Sequence, residues 1–166
     1  MTTIYDFTMT LADGSQQPLA AYRGKTLLVV NTATKCGFAP QFSELEDLYQ
    51  RYHDAGLVVL GFPSNQFKQE LSSGEAAAEA CRTTYGVSFP MSQLIAVNGP
   101  KTDPIFHYLK LQAPTSLGHS IKWNFTKFLV HPDGTTVERF APKTSPKKMV
   151  SEIEVALAKV GPAIIK

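Results

Sequence analysis

Cys36 and Cys81 are the only cysteines in the chain, 45 positions apart, and they carry its clearest chemistry. A thiolate is a strong nucleophile, while a thiol packed in hydrocarbon is an inert filler. Local context distinguishes the two. Cys36 lies in the polar stretch Thr34-Lys35-Cys36-Gly37, after the apolar run Leu27–Val30 and before the helical spacing of Phe42, Leu45, Leu48, Tyr49 and Tyr52. A thiol there faces the first N–H groups of a helix beginning near Pro40, beside the positive charge of Lys35, and both favour ionisation. Gly37 lets backbone approach closely. Cys81 sits among small residues, Ala76 to Ala80, where a packed helix cysteine is the plain alternative to a redox partner.

The elements that must position these thiols follow from periodicity. Ile4–Leu11, the turn Asp13-Gly14 and Gln16–Leu19 predict an N-terminal β-hairpin. Lys25–Thr32, a helix ending at Gly56, and Leu57–Phe62 predict a βαβ unit with a parallel strand pair. Ser72 with Glu75 predicts a capping box for a helix to about Thr84, and Phe89–Val97 predicts a strand. Asp103-Pro104 opens a short helix through Leu111, and Ala113–Lys122 is loop. Trp123–Val130, the turn His131–Gly134 and Thr135–Phe140 predict a second hairpin. A last helix starts at Ser145-Pro146, with Val150, Ile153, Ala156, Leu157 and Val160 on its apolar side. The outcome is an α/β fold of thioredoxin-like logic: a central mixed sheet flanked by helices, in one domain over residues 1–166.

Four segments then carry a resemblance. Asn31-Thr32-Ala33-Thr34-Lys35-Cys36-Gly37-Phe38 resembles the active-site segment of glutathione peroxidases in the version with cysteine in place of selenocysteine. Phe62-Pro63-Ser64-Asn65-Gln66-Phe67 with Gln69-Glu70, then Gly86–Pro90, then Trp123-Asn124-Phe125-Thr126-Lys127-Phe128 resemble the later signatures in family order. The resemblance implies that Cys36 is the peroxidatic residue and that Gln69, Trp123 and Asn124 complete a catalytic tetrad. Their amide and indole N–H groups suit a developing thiolate and peroxide oxygens. Cys81 matches the resolving cysteine of the thioredoxin-dependent members. One departure stands out: family members usually have two residues, often glycine first, where Lys68 alone separates Phe67 from Gln69, which makes Gln66 an alternative donor. Ser64 stands where cysteine is frequent.

The resemblance further implies reduction of hydrogen peroxide and organic or lipid hydroperoxides, with thioredoxin rather than glutathione as donor. It also implies a monomer or small homo-oligomer, because the connection between Leu111 and Lys122 is short. Neither residues nor resemblance calls for a cofactor or metal. His53, His107, His119 and His131 make no ligand pattern with the cysteines, and Cys36-Gly37-Phe38-Ala39 is not the C-x-x-C of a general disulfide oxidoreductase. A redox sensor would use the same sulfur chemistry. A formal charge of +2 is too small to point to nucleic acid or an anionic membrane. No apolar stretch is long enough to span a bilayer, and the first residues do not read as a secretory signal, so the expected compartment is the cytoplasm.

Overall fold

The structure, a computed structural model, describes residues 1–159, so the expected place of Val160 lies outside the described residues. The N-terminal hairpin forms from β1 (Thr8–Thr10) and β2 (Gln16–Pro18), paired antiparallel around the left-handed Gly14. It is shorter than expected. Ile4–Asp6 instead make a 3-10 turn, because the Thr3 side chain accepts from the Tyr5 N–H and Asp6 reaches back to the Thr3 N–H.

β3 (Thr26–Thr32) and β4 (Leu57–Pro63) are buried at every position and pair in parallel, with Leu27 opposite Val58 and Val30 opposite Gly61. Between them α1 (Gln41–Tyr52) carries the chain back across the sheet, burying Phe42, Leu45 and Leu48. Strands covered on both faces can be apolar throughout, which is why their sequences run rather than alternate. α2 (Gly74–Tyr85) follows. Its cap is Ser73, whose hydroxyl accepts from Ala76 N–H at 3.1 Å, and not the expected Ser72; it stops at Gly86, φ 67°. α3 (Pro104–Gln112) begins as expected, with Asp103 accepting from the Ile105 N–H at 2.9 Å.

β5 (Lys127–Val130) and β6 (Val137–Phe140) complete a sheet of order β4-β3-β5-β6, in which only β3 and β4 are parallel. A 3-10 turn, Pro146–Met149, leads into α4 (Val150–Leu157). Alternation along β3 then divides the core. Leu28 and Val30 join the cluster under α1, α2 and α4 that holds both cysteines, while Leu27 and Val29 join Phe106, Leu109 and Phe128 on the other face.

Two expected strands are corrected. Phe89–Val97 forms only isolated bridges, Met91 with Gly61, Ser92 with Leu11 and Ala96 with Thr102, because Pro90 has no N–H to continue a ladder. The strand expected from Trp123 begins only at Lys127. Phe125 is left-handed (φ 65°), and the turn before Lys127 is held by side-chain bonds instead of a ladder. β6 likewise starts at Val137, since Asp133 takes the Thr135 and Thr136 N–H groups, both at 2.9 Å.

Candidate active site

Cys36 stands beyond the carboxyl end of β3, in a run of turns that ends at Pro40, the cap of α1. This is the edge of an open α/β sheet where ligands gather. The amide aimed at its sulfur is that of Phe38, at 3.4 Å, within the turn itself rather than in the first turn of α1. The thiol is 5% exposed and Lys35 is exposed beside it.

A second strap, Ser64–Leu71, is laid along that turn. Ser64 N–H donates to the Thr32 carbonyl at 3.0 Å, and Lys35 N–H donates to the Gln69 carbonyl at 2.9 Å. Glu70 Oε1 accepts from the Thr34 N–H at 3.0 Å, from the Thr34 hydroxyl and from the Leu71 N–H at 2.8 Å. Lys68, the one residue between Phe67 and Gln69, adopts φ 63° and donates its N–H to the Asn65 carbonyl at 3.0 Å. Gln66 is turned to other work. Its Oε1 accepts from Val97 and Asn98 N–H at 2.6 and 3.0 Å, and its Nε2 donates to the Asn98 carbonyl at 2.9 Å. Of the two candidate glutamines in the strap, Gln69 is the one bonded to the turn that carries Cys36.

The third piece is the turn Trp123–Thr126. Asn31, fully buried in β3, fastens it: Nδ2 donates to the Trp123 carbonyl at 3.2 Å, and Oδ1 accepts from the Thr126 N–H at 3.1 Å. The Phe125 N–H donates to the Asn31 carbonyl at 2.7 Å. Asn124 is thereby directed inward, at 0% exposure, where its Nδ2 donates to Gln69 Oε1 over a long 3.5 Å. Trp123 packs against the core cluster that contains Cys36, with its ring 5.3 Å from that of Phe67. Gln69 and the adjacent pair Trp123-Asn124, distant from it in sequence, are thus brought to the end of β3 that leads into Cys36.

Cys81 lies on the inner face of α2 beside Ala77 and Ala78, at 0% exposure, in the same buried cluster as Cys36. Both thiols are free. Burial, followed by the charge of Glu70, pushes the Cys81 thiol up to about 12 against a smaller pull from Arg82. At neutral pH it is a protonated thiol in its resting place.

Sequence reading missed the supporting residues Asn31, Thr34 and Glu70 as functional parts. It also missed Lys127, whose Nζ donates to the carbonyls of Ala141, Pro142 and Thr144 at 3.2, 2.8 and 2.5 Å. Burial draws the Lys127 ammonium down to about 7, with Glu44 countering; three carbonyl acceptors match an ammonium's three hydrogens and favour the charged form. Gln41 at the start of α1 donates to the same Pro142 carbonyl at 2.8 Å, which ties that loop to the helix behind Cys36. A polar residue inside an apolar strand, as at Asn31, was the one available signal.

The glutathione peroxidase sequence profile matches residues 4–110. A glutathione peroxidase of Lactococcus lactis is 49% identical over 154 residues, 92% of this chain and 98% of that protein. The chain belongs to the glutathione peroxidase family. Another member, the glutathione peroxidase-like peroxiredoxin 2 of Saccharomyces cerevisiae, is 46% identical over 95% of this chain and 99% of its own length. The crystal structure of T. cruzi GPX1 superposes with a TM-score of 0.75 at 35% identity, covering 94% of this chain and 97% of that one. A thioredoxin-family thiol:disulfide interchange protein of Chlorobium tepidum, at 17% identity and TM-score 0.65, extends the likeness to the fold alone. The family member described here therefore has the expected thioredoxin-like fold. Among the described residues, no helix is long and apolar enough to cross a membrane.

Proposed function

We propose that this chain, a thiol-dependent peroxidase by family, reduces hydroperoxides at Cys36, resolves the product with Cys81 and is recycled by a thioredoxin-type dithiol. The Cys36 thiolate attacks the outer peroxide oxygen, the O–O bond breaks, and the departing oxygen takes a proton to leave as water or an alcohol. Cys36 becomes a sulfenic acid. The Phe38 N–H is the donor already on the sulfur, and Gln69, Asn124 and Trp123 supply neutral N–H groups that can follow charge onto the peroxide without consuming the nucleophile. The observation that carries this reading is the strap itself: Gln69 is bonded through its carbonyl to Lys35, next to Cys36, and through its side chain to Asn124.

The Cys81 sulfur then attacks the Cys36 sulfur and an S–S bond forms. The S–O bond breaks, and the hydroxyl leaves with the Cys81 proton as water. A Cα separation of about 5.5 Å is needed for the bond, and Cys81 is held on a helix with no exposure at all. Turnover therefore involves local opening of α2. An incoming dithiol closes the cycle; the second cysteine makes a one-thiol donor such as glutathione unnecessary. The deciding experiment follows peroxide consumption with thioredoxin and its reductase, or with glutathione, as sole donor. Thioredoxin should sustain turnover, Cys36→Ser should abolish it, and Cys81→Ser should permit one oxidation and then stop. Turnover supported equally by glutathione in Cys81→Ser would end the resolving role.

A further inference from the structure

Asn98 stands in the loop before α3, half-buried and outside the site, yet each of its polar groups is bonded toward one of the segments that build the site. Its N–H donates to Gln66 Oε1 at 3.0 Å, and its carbonyl accepts from Gln66 Nε2 at 2.9 Å, which joins it to the strap that carries Gln69. Its side chain is joined to a different segment. Nδ2 donates to the Ile121 carbonyl at 2.7 Å, and Oδ1 accepts from the Ile121 N–H at 2.8 Å. Lys110 Nζ, from the buried side of α3, donates to the same Oδ1 at 3.2 Å and to the Val97 carbonyl at 2.6 Å. An ammonium has no acceptor, so the amide atom facing it is the oxygen, and the direction of the Asn98 side chain is fixed.

Ile121 lies two residues before Trp123, whose own carbonyl is held by Asn31 at 3.2 Å. Trp123 is thus slung between two asparagine clamps, and the first of them is anchored in the strap. The Phe67 ring, next to Gln66, lies 5.3 Å from the indole and closes the same circuit. We propose that Asn98 is a positioning residue that couples the strap carrying Gln69 to the segment carrying Trp123, so that the two donors keep one register beside Cys36. The proposal rests on the reading of Cys36 as the attacking sulfur and of these side chains as its donors. Asn98 touches no reacting atom; it acts through Gln66 on one side and Ile121 on the other. Each link is a pair of hydrogen bonds, which sets orientation as well as distance.

Gln66→Ala gives the sharper test, because Gln66 is exposed and water can take the place of its amide at Val97 and Asn98. Acrylamide quenching reads the environment of Trp123, and dimedone trapping reads the second-order rate of Cys36 oxidation by hydrogen peroxide. Both are measured below the melting transition of each variant. Gln66→Ala should leave Trp123 more open to quenching, although Gln66 has no hydrogen bond to its segment. It should also slow Cys36 oxidation about tenfold, as a displacement of a donor by less than 1 Å would. Asn98→Ala should do both at least as strongly. The double variant should be no worse than Asn98→Ala alone, because the two substitutions cut one chain of contacts. Additive effects would mean two independent braces and would overturn the proposal. Slower oxidation in Gln66→Ala with unchanged quenching of Trp123 would overturn it too, and would make Gln66 a donor to the peroxide. If Asn98→Ala does not fold, the quenching of Trp123 in Gln66→Ala decides alone. Failure of Cys36 in the unaltered protein to react with peroxide would instead remove the peroxidatic reading, and the quenching comparison would still decide whether the strap and the Trp123 segment are coupled.

Discussion

Replacing Asn31 by alanine should disable the site without touching any group that meets peroxide. Asn31 holds the Trp123–Thr126 turn by two side-chain bonds, at 3.2 Å to the Trp123 carbonyl and 3.1 Å from the Thr126 N–H. The Trp123 carbonyl keeps a second partner, the Thr126 hydroxyl at 3.0 Å, but the buried Thr126 N–H keeps none. Losing two ordinary bonds and stranding one buried donor costs about 2–4 kcal/mol. For a chain of this length that lowers the melting temperature by roughly 5–15 °C. The catalytic effect should be larger than the thermal one suggests, since Asn124 reaches Gln69 only at 3.5 Å and Trp123 is carried by the same turn. A displacement of about 1 Å in such a group can lower a rate about a hundredfold. The assay is the second-order rate of Cys36 oxidation by hydrogen peroxide, measured by quench and dimedone trapping at a temperature where the variant is fully folded. A rate within threefold of the parent, with the melting temperature within two degrees, would refute the reasoning.

Alkaline pH should weaken the fold partly through Cys81. Its thiol is held up at about 12 against an ordinary 9.0, so above pH 9 the unfolded chain loses a proton that the folded chain retains, and stability falls as pH rises from about 9 to 12. Between pH 8 and 10.5 this loss should amount to about 2 kcal/mol, read from urea midpoints, and Cys81→Ala should remove that part while leaving the slope due to Tyr5. Lys68 holds φ 63°, a conformation that penalises β-branched side chains. Lys68→Val should therefore melt lower than Lys68→Gly and react more slowly with peroxide; equal behaviour would mean that the strap is unstrained at Lys68. Lys127→Met leaves the carbonyls of Ala141, Pro142 and Thr144 without their shared donor. It should cost about 1–3 kcal/mol and raise amide exchange over residues 141–145, and an unchanged melting curve would remove that clasp from consideration.

The βαβ unit was readable because each of its parts announces itself locally: a buried apolar run, a helical repeat, a left-handed Gly56, a second run. Segments held by side chains were not. The false strand at Phe89–Val97 looked apolar enough, but it pairs with Gly61 only at Met91, since Pro90 accepts from the Gly61 N–H and has no N–H of its own to give the strand. Trp123–Thr126 has strand-like composition, and its turn exists because Asn31, 95 positions before Thr126, takes the amide a ladder would use. Cys36 could be singled out from its own neighbours. Gln69, Trp123 and Asn124 were visible only through family likeness, since an isolated amide or indole has many uses. Glu70 has no role legible from its neighbours, because its partner Thr34 is 36 positions away. The cap at Ser73 in place of Ser72 is a local misreading: both are serines before the same helix, and only backbone direction distinguishes them.

Trp123 is the single tryptophan of the chain. All of the protein's indole emission consequently originates at one ring, packed on Phe67 and bordering the cluster in which both sulfurs lie. Sulfenic acid, disulfide and reduced thiol differ in polarity and in how they quench an excited indole. The intrinsic fluorescence of the unlabelled protein should for that reason follow any change in the oxidation state of those sulfurs, with no second tryptophan contributing background.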